Sequence, residues 1–274
     1  PPGHLAAPRT TPMLDRFIRC FQAYVDRFLT GDATDDGRVN LKREHSLMVL
    51  AEARMLTRSL GVAPETADLI HLAALFHDTG RFPQYAAYKT FRDAISVNHG
   101  RLGVATLRRE GLLADLPHAS RALIYGAIVM HNRFALPAAV AAAPTSPLAL
   151  AAQVVRDADK LDILRVMVEH FEADGGGDEV VTMALPDRPN DYSPALVAPL
   201  FGGQVARYTD MACQNDMRLL LISWVYGFSF PAARQEAFSR GLIGRLFAGL
   251  PRTSEIETAR DYVIQLAPGG KHGA

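Results

Sequence analysis

The chain has 274 residues, of which 49% are hydrophobic, and its 29 basic and 29 acidic residues give a formal net charge of zero. That length suffices for one large core, and the charge balance argues against nucleic acid as the main partner. The two cysteines, Cys20 and Cys213, are far apart, which favours a reduced, cytoplasmic compartment. The opening "PPGHLAAPRTTP" lacks the apolar stretch of a secretory signal.

Helical periodicity dominates the first quarter of the chain. Apolar residues recur at spacings of three and four between Leu14 and Leu29, which predicts a first helix. A second helix is predicted from about Asn40 to Leu60, with Gly61 just after its end. A third begins after Pro64 and reaches Phe76. It is apolar on nearly every face, so we expect it in the middle of the protein.

The later helices are predicted from the same periodicity. Ser146 and Pro147 look like an N-cap followed by proline at the first helical position, and Ser254 is spaced from Glu257 like a capping box. The final helix follows Ser254. The other helices are predicted at about 97–110, 119–131, 147–171, 206–226 and 232–249.

Residues 172–205 interrupt the helical pattern. Their turn-rich stretches surround "EVVTMAL", which predicts a short strand, so the segment is expected to be an irregular or hairpin insertion that covers a pocket. Residues 134–155 are uncharged but rich in alanine and contain three prolines, which indicates a loop and a new helix rather than a membrane span. No membrane is expected as a partner.

The predicted organisation is one helical domain over residues 13–267, between flexible tails at 1–12 and 268–274. Within it, "LLLISWVYGFSF" is apolar enough to belong to the core or to a dimer surface, so a homodimer is one expected arrangement.

Histidines and aspartates fall at the ends of, or within, several apolar helices. Alone, each would more often be a core or surface residue than a ligand. As an ordered set they could point from a helical bundle into one interior site, where imidazole and carboxylate groups bind divalent transition metals. The set comprises His45, His77, Asp78, His99, His131 and Asp159.

This ordered set resembles the HD-domain superfamily of metal-dependent phosphohydrolases. The family pattern is a histidine, an adjacent His-Asp pair at a helix end, and a distal aspartate on a later helix. "AALFHDTGRF" is similar to the helix-ending signature, and "RDADKLD" is similar to the distal aspartate helix. The resemblance covers roughly residues 38–170. It implies an all-α helical bundle, with the helices from about 206 to 267 as a C-terminal extension.

A subset of that superfamily has two further histidines between the pair and the distal aspartate. The resemblance therefore implies a two-metal centre, with the six residues of the ordered set as metal ligands. It implies a catalytic role for Asp78, as the carboxylate that bridges the metals and holds the nucleophilic water. The expected cofactor is a divalent transition metal, two ions of Fe, Mn, Co or Ni, with Mg and Zn as further options.

The sequence leaves several ligand assignments open. Asp157 and Asp162 flank Asp159, so the ligand could lie one turn away. His99 and His131 could instead act as outer contacts of a single metal or bind substrate. Two further histidines of this region, His71 and His118, are interpreted as structural or surface residues.

Three basic residues are candidates for binding an anionic substrate. Arg81 lies three residues after Asp78, where relatives in the superfamily carry a cation that contacts phosphate. Lys160 adjoins Asp159, and Arg133 follows His131 by two. Each could instead be a surface charge in a weak ion pair. The expected partner is a small phosphorylated compound, with a nucleotide as one candidate.

The resemblance leaves three functions open. The first is a metal-dependent phosphohydrolase that cleaves a phosphoester with metal-activated water. The second is a mixed-valent diiron oxygenase, which some six-ligand relatives are. The third is a non-catalytic sensor that binds a nucleotide without turnover.

Overall fold

Helices make up the regular structure of this computed structural model, which describes residues 11–173 and 179–267, and no strand occurs in those two ranges. The all-α prediction is confirmed. The predicted tails at 1–12 and 268–274 lie almost wholly outside the described residues. In chain order the α-helices are α1 (Pro12–Asp26), α2 (Ala33–Ser59), α3 (Pro64–Phe76), α4 (Arg81–Tyr88), α5 (His99–Arg109), α6 (His118–His131), α7 (Ala138–Ala141), α8 (Pro147–Glu172), α9 (Pro194–Phe201), α10 (Gln214–Ser223), α11 (Pro231–Ser239), α12 (Leu242–Ala248) and α13 (Ser254–Ile264). Short 3-10 helices cover Asp93–Ile95, Tyr208–Asp210 and Trp224–Tyr226.

Helix α3 lies at the centre of the bundle, as its apolar sequence predicts. Its residues from Leu72 to Phe76 are all fully buried, and it packs against α1, α2, α6 and α8. Pro64 occupies its first turn, where no backbone donor is lost. The C-terminal end of α3 therefore delivers the residues that follow it to the interior.

The long helices α2 and α8 pack against each other and against α3. Helix α2 starts earlier than predicted because the Asp32 carboxylate caps it, accepting from Thr34 N at 3.0 Å and Asp35 N at 2.9 Å. Gly61, at φ +62°, follows its end as predicted. Ser146 caps α8, accepting from Ala149 N at 3.2 Å, which also confirms the prediction.

The region after α8 differs most from the sequence predictions. The strand predicted in "EVVTMAL" is wrong, because residues 179–184 form turns. Helix α9 was not predicted, and its internal Pro199 hides it from a periodicity analysis. Asn215 Nδ2 donates to the carbonyls of Arg188, Pro189 and Asp191, at 2.9 to 3.2 Å, and α9 packs on α10 and α13. The structure thus ties the insertion to the C-terminal helices.

The C-terminal helices also need correction. The helix predicted at 206–226 begins only at Gln214, because the Asp216 carboxylate accepts from Ala212 N at 2.8 Å and Cys213 N at 3.3 Å, and so turns the chain there. The helix predicted at 232–249 is broken at Gly241, whose φ of +69° is incompatible with a right-handed helix. Thr253, not Ser254, caps α13 and accepts from Ile256 N at 3.2 Å.

The segment "LLLISWVYGFSF" is used mainly as core, since its residues from Leu219 to Val225 are buried within the chain. In the parts of the chain that the structure describes, no helix is both long enough and apolar enough to cross a membrane. Residues 134–155 form a loop, the short helix α7 and the start of α8, as predicted.

Candidate metal centre

Four helices and the end of a fifth converge on a single interior point. His45 lies in α2, His99 is the first residue of α5, His131 is the last residue of α6, and Asp159 lies in α8. His77 and Asp78 directly follow α3. The structure therefore brings all six residues of the ordered set together. Asp159 is the most exposed of them, with 16% of its side chain accessible.

One group of donor atoms lies on one side of Asp78. His45 Nε2 is 3.3 Å from His77 Nε2 and 3.1 Å from Asp159 Oδ1, and His77 Nε2 is 3.5 Å from the same oxygen. Asp78 Oδ2 lies 3.7 Å from each imidazole nitrogen. We call His45, His77, Asp78 and Asp159 the first ligand group.

A second group lies on the other side of the same carboxylate. His99 Nε2 and His131 Nε2 are 2.9 Å apart, and Asp78 Oδ1 lies 3.4 Å from the former and 3.7 Å from the latter. We call Asp78, His99 and His131 the second ligand group. Asp78 therefore turns one oxygen towards each group.

These separations, which range from 2.9 to 3.7 Å, are close to those between the donors of one metal site. Two donor atoms that are each about 2.1 Å from one cation lie about 3.0 to 3.4 Å apart in octahedral or tetrahedral geometry. Subsets of these residues bring ligand atoms within 4.8 Å of one another, and most of the residues are buried. Imidazole nitrogen and carboxylate oxygen together suit divalent transition metals. The His and Asp clusters are thus able to hold a metal.

Each of the four imidazoles has its other nitrogen held by an acceptor. A fixed Nδ1–H leaves the lone pair of Nε2 directed at the centre and sets the orientation of the ring. The acceptors are Asp162 Oδ2 for His45 at 2.7 Å, Ala74 O for His77 at 2.7 Å, both Asp93 oxygens for His99 at 2.8 Å, and Ile128 O for His131 at 2.6 Å.

Electrostatics keeps three of the six donors, His99, Asp78 and Asp159, deprotonated. Burial and the nearby Arg81 charge lower the pKa of His99 to about 3, so its imidazole is neutral at pH 7. Burial alone would raise the pKa of Asp78 and Asp159, but cations and imidazoles around them hold both well below the ordinary value. Burial and Lys42 lower the pKa of His45, and Asp159 and Asp162 outweigh them and raise it. A cation at the first ligand group would therefore compete with a proton on His45.

The structure separates the three aspartates of α8. Asp159 faces the imidazoles. Asp157 accepts from the backbone N–H groups of Ser229 and Phe230 at 2.8 to 3.0 Å, and Asp162 accepts from His45 Nδ1. Geometry thus favours Asp159 as the ligand from this helix, and it gives Asp162 an outer position behind His45.

Two cations flank the carboxylate of Asp78. Lys42 Nζ is 2.9 Å from Asp78 Oδ2, and Arg81 Nε is 3.4 Å from Asp78 Oδ1. Both cations also lie over the Phe91 ring, at 5.5 and 6.0 Å from its centroid. Arg81 Nε is buried without a hydrogen-bond partner among the described residues. Arg81 therefore lies next to the centre, and so does Lys42, which the sequence analysis missed.

The other predicted substrate contacts lie elsewhere. Lys160 Nζ donates to Gly227 O at 2.5 Å and lies over the Phe228 ring, so its ammonium holds the turn after α10. The Arg133 side chain is exposed. Tyr208 is 55% exposed overall, but burial of its hydroxyl and the charge of Asp159 raise its pKa.

Comparison with known families accounts for this arrangement. Residues 43–164 match the model of the HD domain family. This match is consistent with the HD-domain superfamily, and we call residues 43–164 the HD domain. Members of that superfamily are mostly metal-dependent hydrolases. No curated protein and no solved structure matches the chain.

Helical spacing could have located Lys42, which the sequence analysis missed, and the outer role of Asp162, which it weighed only as an alternative ligand. Lys42 precedes His45 by three residues, and Asp162 follows Asp159 by three, so each shares a helix face with a residue of the centre. Asp93 has no such signal, because it lies on a 3-10 turn and reaches His99 across a loop. His71 is structural as interpreted, with its Nε2 2.8 Å from Thr57 Oγ1, and His118 is exposed.

Proposed function

We propose that this chain is a metal-dependent phosphohydrolase that binds two divalent transition-metal ions and hydrolyses a small phosphoester, a nucleotide being one candidate. The observation that carries the proposal is the position of Asp78, whose two oxygens face two separate groups of imidazoles. A carboxylate in that position can be shared by two cations.

The first ligand group would hold one ion and the second ligand group the other, with Asp78 between them. When bound, such ions polarise a phosphoryl oxygen and lower the pKa of water. In the net reaction water adds to phosphorus, the bond from phosphorus to the alkoxy oxygen breaks, and the alcohol leaves with a proton.

The chain's own cations support an anionic substrate. Lys42 and Arg81 are only 17% and 16% exposed, and both reach the same carboxylate. A guanidinium and an ammonium in such a position bind phosphate oxygens through charge-assisted hydrogen bonds. Two divalent ions would also exceed the negative charge of Asp78 and Asp159, so the loaded centre would attract an anion.

The test is Asp78→Ala, compared with the wild type and with Asp261→Ala, a control whose side chain is 71% exposed on α13. We expect Asp78→Ala to lose bound metal, measured by elemental analysis, together with phosphate release from a phosphoester panel. Its circular dichroism should keep the wild-type helical content, and the control should keep both metal and activity.

The same measurements separate the alternatives. Full occupancy by two metals with no phosphate release from any substrate would contradict the proposal. Oxygen uptake and a mixed-valent signal in electron paramagnetic resonance would then indicate a diiron oxygenase. Tight nucleotide binding without turnover would indicate a sensor.

A further inference from the structure

Asp93 lies outside the six-residue set, yet it makes the most hydrogen bonds of the residues around it. Both of its carboxylate oxygens are 2.8 Å from His99 Nδ1, and Oδ2 also accepts from the His99 backbone at 3.3 Å. Asn132 Nδ2 donates to the same oxygen at 3.1 Å. Asp93 therefore orients one imidazole of the second ligand group.

The same carboxylate also holds Arg81. Arg81 Nη1 donates to Asp93 Oδ1 at 3.0 Å and to Gln84 Oε1 at 3.0 Å, and Gln84 Nε2 donates back to Asp93 Oδ1 at 3.0 Å. This leaves Arg81 Nε beside Asp78. One side chain thus positions both a donor of the second ligand group and the cation next to the shared carboxylate.

Asp162 makes the equivalent contact with an imidazole of the first ligand group, but it does not bind Arg81. Its Oδ2 is 2.7 Å from His45 Nδ1, and its cation is Arg165, whose Nε is 2.7 Å from Oδ1. Arg165 extends away to Glu169 at 2.7 Å. Asp162 is therefore a matched comparison for Asp93, because each aspartate orients one imidazole but only Asp93 also binds Arg81.

We propose that Asp93 is a positioning residue that holds His99 for the second metal ion and Arg81 for the substrate anion. One carboxylate would thus orient both side chains. The inference rests on the proposed two-metal function. Replacing a carboxylate behind a ligating imidazole weakens metal binding about 10- to 100-fold in known sites. Asp93→Asn should therefore weaken one of two metal equivalents and leave the other unchanged.

Metal titration tests the first half of this proposal. Apoprotein is dialysed against graded concentrations of Co²⁺, and bound metal is counted by elemental analysis. The wild type should take up two equivalents, and Asp93→Asn and Asp162→Asn should each weaken one of them. A His131→Ala background, in which only the first ligand group is intact, shows which metal equivalent each variant affects. There Asp162→Asn should weaken the remaining equivalent, and Asp93→Asn should have no further effect.

Binding of inorganic phosphate tests the second half. At saturating Co²⁺, Asp93→Asn should weaken phosphate binding several-fold more than Asp162→Asn, since only Asp93 also holds Arg81. That difference should vanish when both changes are made in an Arg81→Met background.

The outcomes separate this inference from the proposed function. One equivalent or none in the wild type would contradict the two-metal function itself. Two equivalents in the wild type, with both retained at wild-type affinity in Asp93→Asn, would overturn the role of Asp93 alone. Circular dichroism checks the fold of each variant. If Asp93→Asn fails to fold, Asp93→Glu replaces it, because it keeps the charge but moves the carboxylate by one methylene and should still weaken the second equivalent only.

Discussion

The Asp78 carboxylate is the residue on which the proposed chemistry depends, and its surroundings are strongly cationic. Lys42 contacts one oxygen and Arg81 lies near the other. The two cations differ in what else they touch. Arg81 also binds Asp93 and Gln84, whereas Lys42 has the Phe91 ring as its other close neighbour among the contacts described. Lys42 thus has fewer contacts with other protein groups than Arg81, so it is the better placed of the two cations to bind a substrate anion.

Lys42→Met should raise the KM for a phosphoester while leaving metal bound at least as tightly as in the wild type. A hydrogen bond to a charged group contributes about 1.5 to 3 kcal/mol, so KM should rise roughly 10- to 100-fold. Metal affinity should not fall, because removing a positive charge cannot repel a cation. Steady-state kinetics and elemental analysis measure the two effects.

Lys160→Met is the matched control for that prediction. Its ammonium donates to Gly227 O, so the change should lower the melting temperature and leave KM unchanged. A Lys42→Met protein that lost metal but kept its KM would show that Lys42 supports Asp78 rather than substrate. A raised KM in Lys160→Met would restore the substrate-binding role predicted from sequence.

The junction between α3, α4 and α5 shows how the packing of helices positions the residues of the centre. Gly80 has φ −71°, so a left-handed conformation is not what requires glycine there. A Cβ at Gly80 would lie 2.1 Å from His99 O and 2.6 Å from Gly103 N, distances that real Cβ atoms do not show. The glycine allows the start of α4 to lie directly against α5. This close contact helps to set the position of His99 relative to Asp78.

Gly80→Ala should therefore disturb both stability and the second ligand group. Overpacking of this kind costs about 1 to 3 kcal/mol, and the backbone of His99 must move to relieve it. We expect a lower urea midpoint and weaker binding of one metal equivalent. Gly37→Ala is the control, because Gly37 is exposed in α2 with nothing described within 4 Å of its Cβ position. It should be neutral or stabilising by up to about 1 kcal/mol. Equal losses in both variants would contradict the packing argument.

Element boundaries were predictable where a side chain caps the helix locally. Pro64 and the Ser146-Pro147 pair give correct starts because their signals act within one turn. Helix α4 was missed because eight residues with an internal proline give too short a pattern. The start of α10 was missed because Asp216 fixes it through donors that lie before the helix, in a stretch that reads as periodic.

The same distinction between local signals and tertiary packing applies to the site, at the scale of the whole molecule. Its six inner residues could be predicted because each ends or lies within a helix and their order carries a family resemblance. The outer residue Asp93 could not, because its role exists only once distant segments of the chain have packed together. The C-terminal helices are a further case. Nothing in the sequence indicated how they attach to the HD domain, and the structure shows that they do so partly through charge.

Arg240 and Glu52 provide that attachment between α2 of the HD domain and the end of α11. The guanidinium binds the carboxylate through two hydrogen bonds, of 2.5 and 2.9 Å, and the Glu52 side chain is only 5% exposed. Removing one partner of a buried pair leaves a buried charge uncompensated, which costs about 3 to 5 kcal/mol when both partners are fully buried. Arg240 is 35% exposed, so the smaller part of that cost applies here.

Arg240→Met should lower the free energy of unfolding by about 2 to 3 kcal/mol, measured by urea denaturation. The double variant Glu52→Met with Arg240→Met should recover most of the loss, because it removes the buried charge as well as its partner. Arg245→Met is the control, since its pair with Glu172 is 43% and 49% exposed and should contribute no more than about 1 kcal/mol. If Arg240→Met and Arg245→Met cost the same, the pair would not be what joins the C-terminal helices to the HD domain. If the double variant were as unstable as the single one, the loss would come from the packing of the Arg240 stem rather than from the buried charge of Glu52.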